Sequence, residues 1–139
     1  MQRIMSKIAH AVLPRVTVLR LRVWRALRGS NEPEVRFLPV LAREGAFLDV
    51  GANIGSWTGP ASRSFQIVHA FEPDAEIVGA LRESVAKNVT VHGMALSNRT
   101  GIGKFHTPIS NGRPVTTLAS LEDHEAQGAE FSVCNVRLA

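Results

Sequence analysis

Residues 47–55 read Phe47-Leu48-Asp49-Val50-Gly51-Ala52-Asn53-Ile54-Gly55, and this stretch decides the fold. An apolar run carries a carboxylate near its end and opens into a turn bounded by two glycines, the pattern of a buried strand entering a tight bend. A second apolar run, Ile67 to Phe71, closes on Glu72-Pro73, and Glu72 follows Gly51 by 21 positions. Two acidic strand ends, the first joined to a glycine turn, suit a nucleotide-like ligand whose ribose is held by a carboxylate.

Outward from this pair the spacing predicts alternating elements. Ala46 to Val50 is the first strand and Ile54 to about Ser64 the following helix, weakened by Gly59-Pro60. After the strand Ile67 to Phe71, Asp74 to Lys87 has the best helical pattern in the chain. Ile77, Val78, Leu81 and Val85 form its apolar stripe, Glu83 and Lys87 are spaced to pair, and Asn88 ends it. Val89 to Leu96 is a third strand. Strand-helix-strand-helix-strand implies a parallel sheet with right-handed crossovers. Beyond it, Ser97 to Gly101 is turn chemistry, Ile102 to His106 a short strand, and Phe131 to Leu138 another. Upstream, Asn31 and Pro33 resemble a helix start and Gly45 a stop, with Pro39 dividing whatever lies between.

The chain has 139 residues, room for one domain, and its 45% hydrophobic and 20% charged composition requires a true core. The net charge of +4 conceals an asymmetry. Arg3, Lys7, Arg15, Arg20, Arg22, Arg25 and Arg28 give the first 28 residues seven positive charges and no acid, and the remainder is net acidic. The high pI therefore belongs to the leader, and a nucleic-acid partner is not expected. Residues 1–30 form a basic amphipathic extension, and 31–139 the domain proper. From Pro14, Val16, Leu19, Val23 and Leu27 fall on one side of a helix and Arg15, Arg22 and Arg25 on the other, although Val18 and Leu21 interrupt the polar face. A helix packed on the domain or a loose extension is the simpler setting, and peripheral contact with an anionic membrane the alternative. No run of about 18 apolar residues is long enough to span a bilayer. Cys134 is the only cysteine, which excludes an intramolecular disulfide and a cysteine-rich zinc site. A reducing cytoplasm is the default location, and no metal is expected.

In an open parallel sheet, ligands bind beyond the carboxyl ends of the strands. Asp49, the glycine turn and Glu72 converge there: Gly51 and Gly55 remove side chains where the turn is tight, Asn53 adds a small polar group, and Glu72 accepts hydrogen bonds from ribose hydroxyls. The structural alternative is that the glycines only permit the turn and Glu72 only caps the next helix. These residues resemble the FkbM-type S-adenosylmethionine-dependent methyltransferases. The likeness rests on residues 47–55, on Ala70-Phe71-Glu72-Pro73, on the helix end from Leu81 to Asn88, and on Ala95-Leu96-Ser97-Asn98 with Thr100-Gly101. It implies a Rossmann-like, partial doubly wound α/β sheet, the cofactor half of a class I methyltransferase fold. It further implies that Asp49, Gly51, Ala52, Asn53 and Gly55 hold the methionine part of the cofactor, Glu72 the ribose, and Met94 and Ala95 the adenine. Methylation of oxygen on a small-molecule, sugar or lipid acceptor is the implied activity.

The resemblance breaks off at the end of the chain. Family members continue past the equivalent of Val136-Arg137-Leu138 into an Asp-x-Glu-Gly type strand and the substrate half of the sheet, so a fragment of doubtful independent activity is expected. Three parallel strands plus a tail leave Ala46 to Val50 with an unpaired edge, which either the tail strand from Phe131 or a second copy of the chain is expected to cover. No catalytic base is identifiable. His69, His92, His106 and His124 qualify by type alone, and for the two in strands a packed or hydrogen-bonded role is the commoner one. An NAD-dependent oxidoreductase is the rival enzyme reading, but three residues separate Gly51 from Gly55 where a Gly-x-Gly-x-x-Gly fingerprint is required. The remaining rival is a non-catalytic, cofactor-binding remnant.

Overall fold

In the computed structural model, residues 14–29, 32–42, 45–110, 112–115, 118–121 and 130–139 are described; the expected helix start at Asn31 lies outside them. Helix α1 (Arg15–Arg28) is followed by a 3-10 turn (Pro33–Phe37) that runs into the short helix α2 (Leu38–Leu41), the broken helix expected around Pro39. Next come β1 (Ala46–Val50), α3 (Thr58–Ser64), β2 (Ile67–Phe71), α4 (Ala75–Arg82) and β3 (Val89–His92). The chain closes with β4 (Gly101–Ser110), β5 (Arg113–Pro114) and β6 (Phe131–Leu138). Among the described residues this is a mixed α/β arrangement of four α-helices, a three-stranded parallel sheet and a small antiparallel sheet.

Strands β1, β2 and β3 pair in parallel in that order, with Val50 opposite Phe71 and Phe71 opposite His92. Their alternating side chains divide the sheet into two faces. Val68, Ala70 and Val91 point into the core, against Ile77, Val78 and Leu81 of α4 and Val23 and Leu27 of α1 or, for Val68, against Leu38 and Ala61. On the other face Leu48, Val50 and Ile67 are at least half exposed. The strongly buried positions thus belong to the face that the helices cover.

Helix α1 is fastened to this core at several points. Val23 is fully buried, Arg20 pairs with Glu83 at 2.9 Å, and the Arg63 guanidinium donates to the carbonyls of Leu27 and Arg28, two acceptors left open by the helix end. Gly59 fixes the closest approach. A Cβ there would lie 2.1 Å from the Leu27 carbonyl oxygen and 2.4 Å from its Cα, so only glycine lets α3 meet the α1 backbone. One face of the leader helix, from Arg15 to Arg28, is thus packed on the domain.

Several boundaries differ from expectation. Helix α3 begins at Thr58, not Ile54, because Asn53 (φ 47°) and Gly55 (φ 89°) take left-handed backbone that no α-helix accommodates. Gly59 and Pro60 therefore lie in its first turn, where proline is tolerated, and do not interrupt it. Helix α4 starts as expected, with Asp74 accepting from the Glu76 and Ile77 amides, but stops at Arg82. Glu83 consequently turns to Arg20 rather than Lys87. Asn88 does not cap α4 either. Its amide donates to the carbonyls of Ser62 and Phe65, closing the end of α3.

The third strand stops at His92, and the chain rejoins a strand only at Ala95, which bridges Leu138 in parallel. Strand β4 is longer than expected because it pairs antiparallel with β6 from Gly101 opposite Leu138 to Pro108 opposite Phe131, and Ile109 and Ser110 then pair with β5. Strand β6 has its expected bounds but a different place. It lies beside β4 and touches the parallel sheet beyond β3, so it leaves the β1 edge unpaired among the described residues.

Two glycine substitutions test this packing. Gly59→Ala is expected to destabilise the protein by about 3 kcal/mol or more, the upper end for overpacking, because backbone cannot step aside as a side chain can. Gly79→Ala, in α4 with nothing near its Cβ, is expected to stabilise by about 0.5–1 kcal/mol. Urea-unfolding midpoints of the two variants should move in opposite directions.

Candidate functional site

The carboxyl ends of β1 and β2 open onto a cavity of about 430 Å³ lined by Val50, Gly51, Asn53, Phe71, Glu72 and Pro73 on one side. Ala95, Leu96, Phe105, Ala119, Ser120 and Leu121 line the other. Its volume falls in the range of small-molecule sites. A somewhat larger hollow, of about 540 Å³, lies over α3 near Val35, Arg36 and Arg63, but no carboxylates converge in it.

Glu72 joins the two strand ends. Its Oε2 accepts from the Asn53 amide at 2.8 Å and its Oε1 from the Asp74 amide at 2.9 Å. The left-handed Asn53 aims its N–H at this carboxylate, a conformation that asparagine tolerates better than most residues. Each oxygen keeps a further lone pair, so Glu72 retains the capacity to accept two more hydrogen bonds. Burial pushes its carboxyl group above the usual value, while the two amide bonds act in the opposite direction.

The amides of the glycine turn are directed inward. Those of Gly51 and Ala52 share the Phe71 carbonyl at 3.0 and 2.9 Å, and that of Gly55 donates to Ala52 at 2.8 Å. The turn therefore binds the end of β2 and offers little as an anion cradle. Asp49 completes the same logic from beneath. Its Oδ2 accepts the Thr58 hydroxyl at 2.5 Å, and the Thr58 backbone N–H also bonds to it, so a built-in carboxylate sits at the start of α3. Burial pushes the Asp49 carboxyl upward, the Thr58 bonds oppose this, and the nearby Glu32 adds a smaller upward push. Glu32 in turn accepts the Trp57 indole N–H.

The sequence-derived candidates thus separate into two groups. Gly51, Asn53, Glu72 and Ala95 line the cavity. Asp49, Ala52, Gly55 and Met94 do not. Ala52 is a core residue beside Ile77 and Leu81, and Gly55 faces inward, where a Cβ would lie 2.7 Å from a Leu27 methyl. The far wall was not among the candidates. Phe105 and Ser120 come to the cavity through β4 and the reciprocal backbone bonds between His106 and Ser120, a long-range pairing that no local spacing announces. Thr58, nine positions past Asp49, likewise carries no recognisable signal in the sequence.

The histidines among the described residues, His69, His92 and His106, are engaged with other side chains. His69 Nδ1 and His92 Nε2 lie 3.0 Å apart, His92 stacks on Phe71 at 4.5 Å, and His106 meets Phe131 edge-on. Burial, then His69, then Arg82 hold His92 below its usual value. His124 lies outside the described residues. Among the described residues no group of three His, Cys, Asp or Glu side chains is placed to hold a metal ion. Comparison of the chain with protein-family models, curated proteins and solved structures gives no match.

The raised carboxyl groups make stability depend on pH. The folded protein retains protons that the unfolded chain releases, so stability falls as pH rises from the ordinary carboxyl values of 3.8 and 4.5 through the raised ones, and levels off above them. Asp49→Asn keeps an oxygen for Thr58 and removes one of the two groups. Urea midpoints measured from about pH 4 to about pH 7 should therefore fall less in this variant than in the parent.

Proposed function

We propose that the chain carries the cofactor-binding part of a Rossmann-like, S-adenosylmethionine-dependent methyltransferase of the FkbM type, acting on oxygen of a small-molecule, sugar or lipid acceptor. The observation that carries this reading is the convergence of Glu72 and the bare backbone at Gly51 on one cavity, tied together through Asn53. A carboxylate with spare acceptor capacity beside the bare backbone of Gly51 suits the two hydroxyls of a ribose. Apolar Phe71, Ala95, Leu96 and Phe105 in the same cavity suit a flat base.

The choice of an adenosyl-sulfonium over a dinucleotide follows from where the polar groups are already committed. A pyrophosphate needs free turn amides and a free helix N-terminus. Here the amides of Gly51, Ala52, Asn53 and Gly55 donate within the protein, and Asp49 already holds the start of α3. No basic side chain lines the cavity among the described residues, whereas Glu72 does. This favours a ligand without phosphates and disfavours the NAD reading.

When bound, S-adenosylmethionine would supply an electrophilic methyl group for in-line attack by an acceptor oxygen. The contribution of these residues to that chemistry is to hold and orient: Glu72 would fix the ribose, and the cavity walls would hold the base out of water. Calorimetric titration tests the reading. Binding of S-adenosylmethionine without binding of NAD is expected, and Glu72→Ala should weaken it by about 1–3 kcal/mol. Failure of the parent protein to bind S-adenosylmethionine would overturn the proposal, and an unchanged affinity in Glu72→Ala would remove Glu72 from the site.

A further inference from the structure

We infer that the outward face of α1 is a docking surface for an anionic lipid bilayer, which the helix meets lying flat. The inference is independent of the reaction assigned to the cavity.

It rests first on which residues of α1 the core does not use. Val23, Ala26 and Leu27 are buried against α3 and α4. The spacing of an α-helix places Leu21, Trp24 and Arg28 in one row on the opposite side, with Arg25 beside it. Leu21 is 45% and Trp24 47% exposed, so Leu21, one of the two residues that interrupt the polar face, joins Trp24 in a second apolar strip turned away from the domain. Arg28 lies over the Trp24 ring at 3.9 Å, which sets a cation directly beside the most amphipathic side chain of the helix.

Charge supplies the second argument, and it identifies the partner. An ordinary solvated helix face mixes both signs. Between residues 1 and 28 there is no acidic residue, and Arg22, Arg25 and Arg28 are all exposed. The acid paired to this helix, Glu83 with Arg20, comes from α4 at its flank, not from the outward face. Arginines bordering an exposed tryptophan and leucine match the two layers of a bilayer surface: phosphate-bearing headgroups for the guanidiniums, the acyl boundary for Leu21 and Trp24. A nucleic acid would satisfy the arginines but give the leucine nothing to bury in. Among the described residues no helix is long and apolar enough to cross a membrane, so the contact is peripheral.

The test is co-sedimentation of the whole chain with vesicles of phosphatidylcholine containing phosphatidylglycerol, against vesicles of phosphatidylcholine alone. Binding only to the anionic vesicles, weakened by added salt, is the expected result. Reversal of two charges by Arg25→Glu with Arg28→Glu should reduce it at least roughly tenfold, since each basic residue at such a surface is worth roughly a factor of five. Leu21→Ala should also reduce it, and all three positions are exposed, so circular dichroism of the variants should match the parent. In a Trp57→Phe background, Trp24 is the only tryptophan left, and its emission should shift to the blue on vesicle binding. Equal binding to both vesicle types, no binding, an unshifted Trp24, or variants that sediment like the parent would each overturn the inference. So would homopolymeric RNA that displaces the vesicles while Leu21→Ala binds them normally.

Discussion

The carboxylate of Glu72 lies between two backbone amides, one from the turn after β1 and one from the turn after β2, and the geometry of the cavity depends on that bridge. Parallel strands are joined along their length by their own ladder, but the loops beyond them have no such obligation. Here the Phe71 carbonyl receives Gly51 and Ala52, and Glu72 receives Asn53, so the first loop is bound to the second strand residue by residue. A buried acid is costly unless its lone pairs are met, and amides that would otherwise be orphaned meet them. Loop order and carboxylate burial are thus one arrangement, not two.

The same economy explains why the two acidic strand ends do different work although they look alike as sequence. Asp49 lies on the helix-covered face of β1 and spends its oxygen on Thr58. Glu72 follows the last residue of β2 and is carried past the sheet into the cavity. Two carboxylates near strand ends therefore become an internal helix anchor and a cavity-facing acceptor. Position along the strand makes the difference, since Asp49 is level with Ala70 inside the sheet and Glu72 lies two residues further on.

What the sequence reveals follows the range of the interactions involved. The apolar runs Ala46 to Val50, Ile67 to Phe71 and Phe131 to Leu138 are legible as strands to the residue, because alternation and β-branched content are local properties. Asp74 is legible as a helix start for the same reason. The late start of α3 is not, since it turns on Asn53 adopting a backbone conformation that asparagine permits but does not demand. The break at Gly93, the partner of β6 and the far wall of the cavity all depend on pairings between distant segments, such as Ala95 with Leu138. Within the candidate site, Gly51, Asn53, Glu72 and Ala95 could be found from motif and register. Gly55 shares that motif but answers to a leucine side chain from another helix.

That leucine gives the first helix a structural duty. Leu27 presses its side chain on Gly55 and its backbone on Gly59, so it backs the glycine turn from behind and seats the helix that follows. A shortened polypeptide starting at the 3-10 segment would lose this backing and uncover Leu81, leaving a hole where the loop is braced. The smallest unit able to present this cavity in ordered form therefore has to include the arginine-rich helix, however dispensable its charge makes it look.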